Sequence, residues 1–331
     1  MTIRLVILAL AVALALSTTT AVAAPPAGRV VRVGLLYVIA PTFDPETQPA
    51  ARELVAGLRE QGYVLGKNLV IEFRSAEGHP ERIQALAAEL IAAKVEMLLI
   101  PGTQGFLVAR EMTKTVPLVM VGTADPVETG LVASLARPGG NITGIAINAA
   151  EIAAKRVQLL QEAVPKLARV AVLWNSSFKS MTLSFQQIEQ AAPQLGVIVQ
   201  SIRVAGSEDF EKAFAAMTQT RPGGLVVLFG PLHGNDLPRI VEFVTKQGIP
   251  AVFERGQGIR GGGLMEFGAN AARLSRRVGA YVDKIANGVR PGDIPVEEPS
   301  EFELVINMKA AKAMGLTIPP ALRARANQVV E

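Results

Sequence analysis

The sequence predicts an α/β protein of two doubly wound parallel-sheet lobes, and three observations carry that expectation. The chain has 331 residues, more than one hydrophobic core usually organises, so two units of roughly 150 residues are the natural division. Half of its residues are hydrophobic, aromatics are scarce at 5%, and 30 glycines with 21 prolines supply many tight connections. Short β-rich runs alternate with longer amphipathic segments, and the same grammar restarts after Gly144.

In order, VVRVGLLYV (30–38) reads as a buried strand, 46–63 as a helix ending at Gly62, NLVIEFRSA (68–76) as a strand, and 80–94 as a helix with apolar spacing of three and four. VEMLLIPG is a strand, TQGFLVAREMTK a helix, and VPLVMVGT a strand whose unbroken apolar character suits a parallel sheet covered on both faces. Asp125-Pro126-Val127-Glu128 has the pattern of an aspartate N-cap, a proline at the first helical position and a glutamate at the third, which predicts a helix opening there. ARPGGNITG (136–144) is the sharpest linker. In the second half, helices are expected over 150–164, 178–192, 207–219 and 237–248, and strands over 168–175, 197–204, 223–230, 249–254 and 262–268. A further helix (271–288) and the strand-like FELVINM (302–308) must add to lobes already formed, so the chain crosses between lobes more than once.

The first 26 residues give one basic residue, Arg4, an apolar run from Leu5 to Leu16, and the small-x-small triplet Ala21-Val22-Ala23. This is a secretory leader pattern cleaved after Ala23; the run is too short for a hydrocarbon core that needs about 20 apolar residues. Export of the mature chain is the expectation. There is no cysteine, so no thiol chemistry, thiolate metal site or lipid-modified cysteine is available, and the fold must hold by core burial. The formal charge is +4, and the basic residues are dispersed rather than gathered in a stripe for nucleic acid. A small soluble ligand fits better.

Polar residues at strand ends are the candidate site: Gly102 and Thr103 after LLIP, Asp125 after VPLVMVGT, and Asn175, Ser176 and Ser177 after VAVLW. Each suits a helix start, where backbone N–H groups and the positive end of the helix dipole favour a carboxylate. Ligands of α/β proteins sit at the carboxyl edge of the sheet. Tyr37, Phe106, Trp174, Phe178, Phe229 and Phe253 are the aromatic candidates, and Trp174, beside Asn175, is expected to face the ligand. Residues 256–261 match GxGxxG, but glycines and a strand follow instead of the helix a dinucleotide loop requires. No metal or cofactor site is expected, since Asp125 has no second acidic or histidine ligand nearby in sequence. Three alternatives remain open: a hydrolase or isomerase using His233 with Asp125 or Glu254, a sugar-responsive regulator, and an extracytoplasmic sensor partner. No GxSxG elbow supports a hydrolase, and a leader stands where a regulator needs a helix-turn-helix.

DPVETGLVASLARPGGNITG together with the late FELVINMKAAKAMGLTIPP resembles the ABC-transporter substrate-binding proteins of the tryptophan-binding-like type. The resemblance implies a type I periplasmic-binding-protein fold with about three hinge crossovers, a ligand in the interlobe cleft, and delivery to an ABC permease and its ATPase at the inner membrane by a monomeric, non-catalytic receptor. The expected division is a leader of 1–23, a first lobe of 24–145 plus 269–300, and a second of 146–268 plus 301–331. Carried over to this chain, the cleft would be lined by Tyr37, Thr103, Gln104, Thr123 and Asp125 from the first lobe and by Asn175, Ser176 and Glu254 from the second. The carboxylate would sit on helix starts, an ammonium on Asp125 or Glu254, and an apolar side chain against Tyr37 or Trp174. Where such proteins often show an aromatic-x-x-Arg-Glu segment and GGLxSYG, this chain has Phe253-Glu254-Arg255-Gly256-Gln257 and GGLMEFG, with Glu266 in place of a small polar residue.

Overall fold

The computed structural model describes residues 29–228, 231–254, 258–259 and 261–331. Residues 1–23, expected to be a leader, and Phe229 lie outside the described residues.

The first lobe is built on five parallel strands in the order β2-β1-β3-β4-β5. The chain runs β1 (Val31–Tyr37), α1 (Pro49–Glu60), β2 (Leu69–Ser75), α2 (Ile83–Ala92), β3 (Met97–Pro101), α3 (Thr103–Met112), β4 (Leu118–Ala124) and β5 (Ile142–Ile147). It then crosses to the second lobe through α4 (Ala149–Ala163), followed by β6 (Arg169–Trp174), α5 (Lys179–Leu195), β7 (Ile198–Arg203), α6 (Phe210–Thr220), β8 (Gly224–Val227), α7 (Pro231–Gln247), β9 (Ala251–Phe253) and β10 (Met265–Ala269). Helix α8 (Ala271–Ala286) returns to the first lobe, and β11 (Phe302–Asn307), α9 (Met308–Ala313), α10 (Pro320–Ala324) and β12 (Gln328–Val330) complete the second. Its sheet has the order β12-β11-β10-β9-β8-β6-β7, parallel except where β10 meets β11.

Strand periodicity explains the layers. Val31, Val33 and Leu35 of β1 pack with Leu54 and Leu58 of α1 and Val278 and Val282 of α8, while Leu36 joins Leu98, Ile100, Leu86 and Leu90 on the opposite face. The second lobe repeats this with Val170 and Val172 against α4 and α5 and Ala171 and Leu173 against α6 and α7. Successive side chains of a strand point to opposite faces, so a fully covered sheet needs these near-continuous apolar runs. Glycine permits the return of α8: a Cβ at Gly57 would stand 1.9 Å from the Arg276 carbonyl oxygen, and one at Gly279 would stand 2.3 Å from that of Gly57.

Three local expectations are corrected. No helix follows Asp125; residues 126–131 form consecutive turns, with Thr129 N–H donating to Asp125 O and Leu131 N–H to Pro126 O. Asp125 itself has φ +45°, left-handed rather than the extended geometry of an N-cap. The proposed linker 136–144 ends inside β5, which pairs with β4, so the chain leaves the lobe only after Ile147. Helix α7 begins at Pro231, six residues earlier than expected, so His233 falls in its first turn instead of a loop; the side chain of His233 lies outside the described residues.

Candidate functional site

Both sheets reverse their winding order, the first between β1 and β3 and the second between β6 and β8. Such switch points open a crevice at the carboxyl ends of the strands. Here one cavity of about 510 Å³ spans both, within the usual range for small-molecule sites. Its wall takes Tyr37 to Pro41 from the end of β1, Pro101 to Gln104 from β3 into α3, and Gln48 to Ala50 from the start of α1. Ala149 opens α4 and Phe178, Ser180 and Met181 open α5, with Leu228 and Glu254 following β8 and β9. A larger but shallower hollow of about 680 Å³ lies along α7; it belongs to one lobe and holds no convergence of helix ends.

Four helix N-termini therefore meet at one cavity. Those of α1, α3 and α5 have no side-chain cap, their N-cap residues being Gln48, Gly102 and Phe178. Gly102 has φ +79°, a conformation glycine adopts without strain. The terminus of α4 differs: Asn148 accepts from Glu151 N–H and the Asp125 Oδ1 accepts from Ala150 N–H at 3.3 Å. Uncapped N–H groups in a cavity are donors in need of an acceptor.

Of the expected residues, Tyr37, Thr103, Gln104 and Glu254 line the cavity. The Tyr37 ring rests on Phe73, centroids 5.8 Å apart, and Phe73 on Phe43. Thr103 Oγ1 accepts from Ala124 N–H at 2.9 Å, which pins α3 to β4 while leaving the hydroxyl proton free to donate. Gln104 Oε1 is buried without a hydrogen-bond partner.

The other six do not form the wall. Thr123 is wholly buried beneath it, its hydroxyl donating to Gly102 O at 3.2 Å. Asp125 lies just behind Ala124 and Ala149, 3% exposed, and its Oδ2 has no partner. Its carboxyl is pushed up to about 7, chiefly by burial; the Ala150 N–H opposes this, and the charges of Glu128 and Glu254 add to it. Trp174 belongs to the second lobe's core, stacked on Phe185 at 4.6 Å with its indole N–H donating to Ser201 Oγ. Asn175 is buried and shapes its own loop, accepting from Ser177 N–H and donating to Ala205 O. Ser176 is exposed outside the cavity. Phe253 is 2% exposed in the second lobe's core, and a Cβ at Gly258 or Gly263 would enter its ring at 2.3 or 2.5 Å, so only glycine lets the backbone at these two positions pack on the ring.

Glu266 holds Ile259: its Oε1 accepts from Ile259 N–H at 2.8 Å, while Asn307 Nδ2 donates to Ile259 O. Of the GxGxxG match, the described Gly258, Ile259 and Gly261 lead into β10, not a helix. Among the described residues, no group of three or more His, Cys, Asp or Glu side chains could hold a metal ion.

Sequence reasoning missed Arg156. It is 1% exposed on α4, donates from Nε to Phe267 O at 3.0 Å, and places Nη2 3.6 Å from Glu254 Oε1. Burial pulls its guanidinium below the ordinary range, opposed by Glu254. A signal existed, since Arg156 interrupts the buried stripe Ile152, Ala153, Val157, Leu160, and a charge there needs a partner. Gln48, Phe178, Ser180, Met181, Ser184 and Leu228 also line the cavity; of these only Phe178 stood among the sequence candidates.

Two parallel-sheet α/β lobes joined by crossovers, with one cavity at the carboxyl edges of both, define the type I periplasmic-binding fold. A family profile for ABC transporter substrate binding proteins matches residues 38–330, and the chain belongs to that family. It is 25% identical over 279 residues to a tyrosine-binding protein of Clostridioides difficile (strain R20291), covering 82% of this chain and 78% of that one. Among solved structures, an ABC domain from Streptococcus pneumonia in complex with L-Trp superposes with TM-score 0.83 at 24% identity, covering 91% of this chain and all of the other. A ligand-free, open substrate binding protein with adhesive properties from Clostridium difficile superposes with TM-score 0.68 at 22% identity, over 91% and 99%. Among the described residues no helix is long and apolar enough to cross a membrane.

Proposed function

We infer that this chain is the exported, non-catalytic receptor of an ABC importer, which takes an amino acid or a related small carboxylate into the interlobe cleft and hands it to a permease and its ATPase. The observation that carries the reading is the convergence of four helix N-termini from both lobes on one cavity, three of them without side-chain caps. Their N–H groups suit the ligand's carboxylate. Glu254 and the buried carboxylate of Asp125 suit an ammonium group, and Gln104 Oε1 suits a further donor. Tyr37, Ile39, Phe178, Met181 and Leu228 give an apolar bed for the side chain, in keeping with relatives whose names record tyrosine and tryptophan. Because the wall draws on both lobes, a ligand touching both stabilises the hinge-closed form over an open one.

A thermal-shift screen of L-amino acids, amine-free carboxylates and sugars tests this. A ligand bound only by the folded protein raises the melting point, by about 2.7 kcal/mol of stabilisation at a hundredfold excess over Kd. Amino acids are expected to give the largest shifts. Shifts by sugars alone would reject the carboxylate assignment, and turnover of any ligand would reject a purely receptive role.

A further inference from the structure

Two carboxylates approach the joint of the cleft from opposite lobes: Asp125 follows β4 and Glu254 follows β9. They are differently provided for. Glu254 has Arg156 behind it on α4, at 3.6 Å. Asp125 has the Ala150 N–H on Oδ1, and the Ala149 N–H also acts on its carboxyl, while Oδ2 is buried without a hydrogen-bond partner. The charged groups acting on it are Glu128, from the turn that follows it, and Glu254 across the joint, both negative. Residues flanking it on either side of the joint, Ala124 and Ala149, belong to the cavity wall. A carboxylate oxygen buried without a donor costs more as an anion than as a neutral hydroxyl.

We propose that capture in this cleft exchanges a charge for a proton: the empty protein keeps a proton on Asp125, and the ammonium group of an amine-bearing ligand displaces it to solvent when the cleft closes. This rests on the receptor reading above. The proton passes from the Asp125 carboxyl to buffer, one positive charge leaves as another arrives, and the net charge of the joint is unchanged. Burial, with the Glu128 and Glu254 charges adding to it, sets the exchange near neutrality, since the Asp125 carboxyl is pushed up to about 7. Amine-free carboxylates have nothing to exchange, so the same pair discriminates against them.

The test is calorimetric titration of L-tyrosine, and separately L-tryptophan, into the purified protein in phosphate and in Tris buffer. Release of about half a proton per ligand near pH 7 is expected, together with affinity that weakens about tenfold per pH unit below about pH 6. Equal heats in both buffers, with affinity flat between about pH 6 and about pH 8, overturn the proposal. If neither amino acid binds at any pH, the receptor reading has failed, and the empty protein decides the proton. There the melting point of wild type should fall relative to Asp125→Asn as pH rises through about 7, and Glu254→Gln should move that midpoint down. Parallel curves overturn the proposal. Should Asp125→Asn not fold, the infrared band of a protonated carboxyl in wild type, present at about pH 6 and gone at about pH 8, replaces it, and its absence at the lower pH counts against the exchange.

Discussion

The two sides of the cavity use opposite solutions to the same problem. At the mouth, α1, α3 and α5 present helix ends with neither a side-chain cap nor an acidic residue in the first turn. At the joint, α4 is capped twice, by Asn148 and Asp125, and carries the buried Arg156 toward Glu254. Dipoles therefore stand where solvent can satisfy them in the empty protein, and full charges stand where burial makes them costly. A ligand that completes both sides must carry an acceptor at one end and a donor at the other, which orients it. Breaking either side should have distinguishable consequences.

The largest effect is expected at Arg156. Arg156→Met removes the positive charge 3.6 Å from Glu254 and the bond to Phe267 O. A broken buried pair costs about 3–5 kcal/mol, and the lower end applies here because Glu254 keeps 18% side-chain exposure. Urea unfolding should register it. Arg156→Met with Glu254→Gln should recover most of the loss, since an apolar or neutral replacement of both partners avoids the stranded charge. A double variant no more stable than the single would mean that Arg156 acts through packing alone.

Next comes the pH dependence of Asp125. Its carboxyl rises from 3.8 to about 7 on folding, so the folded chain binds the proton more tightly than the unfolded one. The stability this contributes is fully present below about pH 4 and is lost as pH rises through about 7. That rise caps the effect at about 4 kcal/mol, and about 2 kcal/mol is expected once the site relaxes around the charge. Unfolding free energies of wild type and Asp125→Asn should therefore diverge across that window, with the asparagine variant the more stable at about pH 8.

These contrasts show what local pattern can and cannot carry. The layers were legible because each strand and helix writes its buried face in its own residues, as Val31, Val33 and Leu35 do. Which helix starts would share a cavity was legible only in part. Asp125 drew attention as the cap of the helix after it, yet it caps α4, whose first residues are some 25 positions away; the pairing is set by β5 returning beside β4, a non-local fact. Trp174 and Tyr37 both end strands, and nothing nearby distinguishes them, but Trp174 stacks inward on Phe185 while Tyr37 lines the cleft. Phe253 lies in the core, packed against glycines that follow it. Arg156 was readable as a charge on an apolar stripe, but its partner was not, because Glu254 lies on another strand end almost a hundred residues on.

A cap introduced at the mouth should separate stability from binding. At Gln48, φ −106° and ψ 115° already have the extended geometry of an N-cap, with Pro49 following. Gln48→Asp should accept from the free N–H groups of α1 and raise stability by about 1 kcal/mol. The same carboxylate occupies donors meant for the ligand and repels its charge, so affinity for an amino acid should fall about tenfold, a loss of about 1.4 kcal/mol. Unfolding and titration would thus move in opposite directions. A stabilised variant with unchanged affinity would remove α1 from the carboxylate site.

The smallest effect is expected at the other cap. Asn148 accepts from Glu151 N–H at 3.2 Å and its amide also donates to the Glu151 carboxylate. Asn148→Ala would ordinarily cost about 1 kcal/mol. Here Asp125 holds the neighbouring Ala150 N–H from the first lobe, so the terminus keeps one acceptor and about 0.5 kcal/mol is the expected loss. Asn148 does not line the cavity, so affinity should change less than about twofold. In an Asp125→Ala background, which removes the acceptor that asparagine would keep, the same substitution should cost more, because the two acceptors serve adjacent donors and their losses are not additive. Additive losses would mean that Asp125 contributes little to the α4 terminus, leaving its burial at the joint to serve the ligand alone.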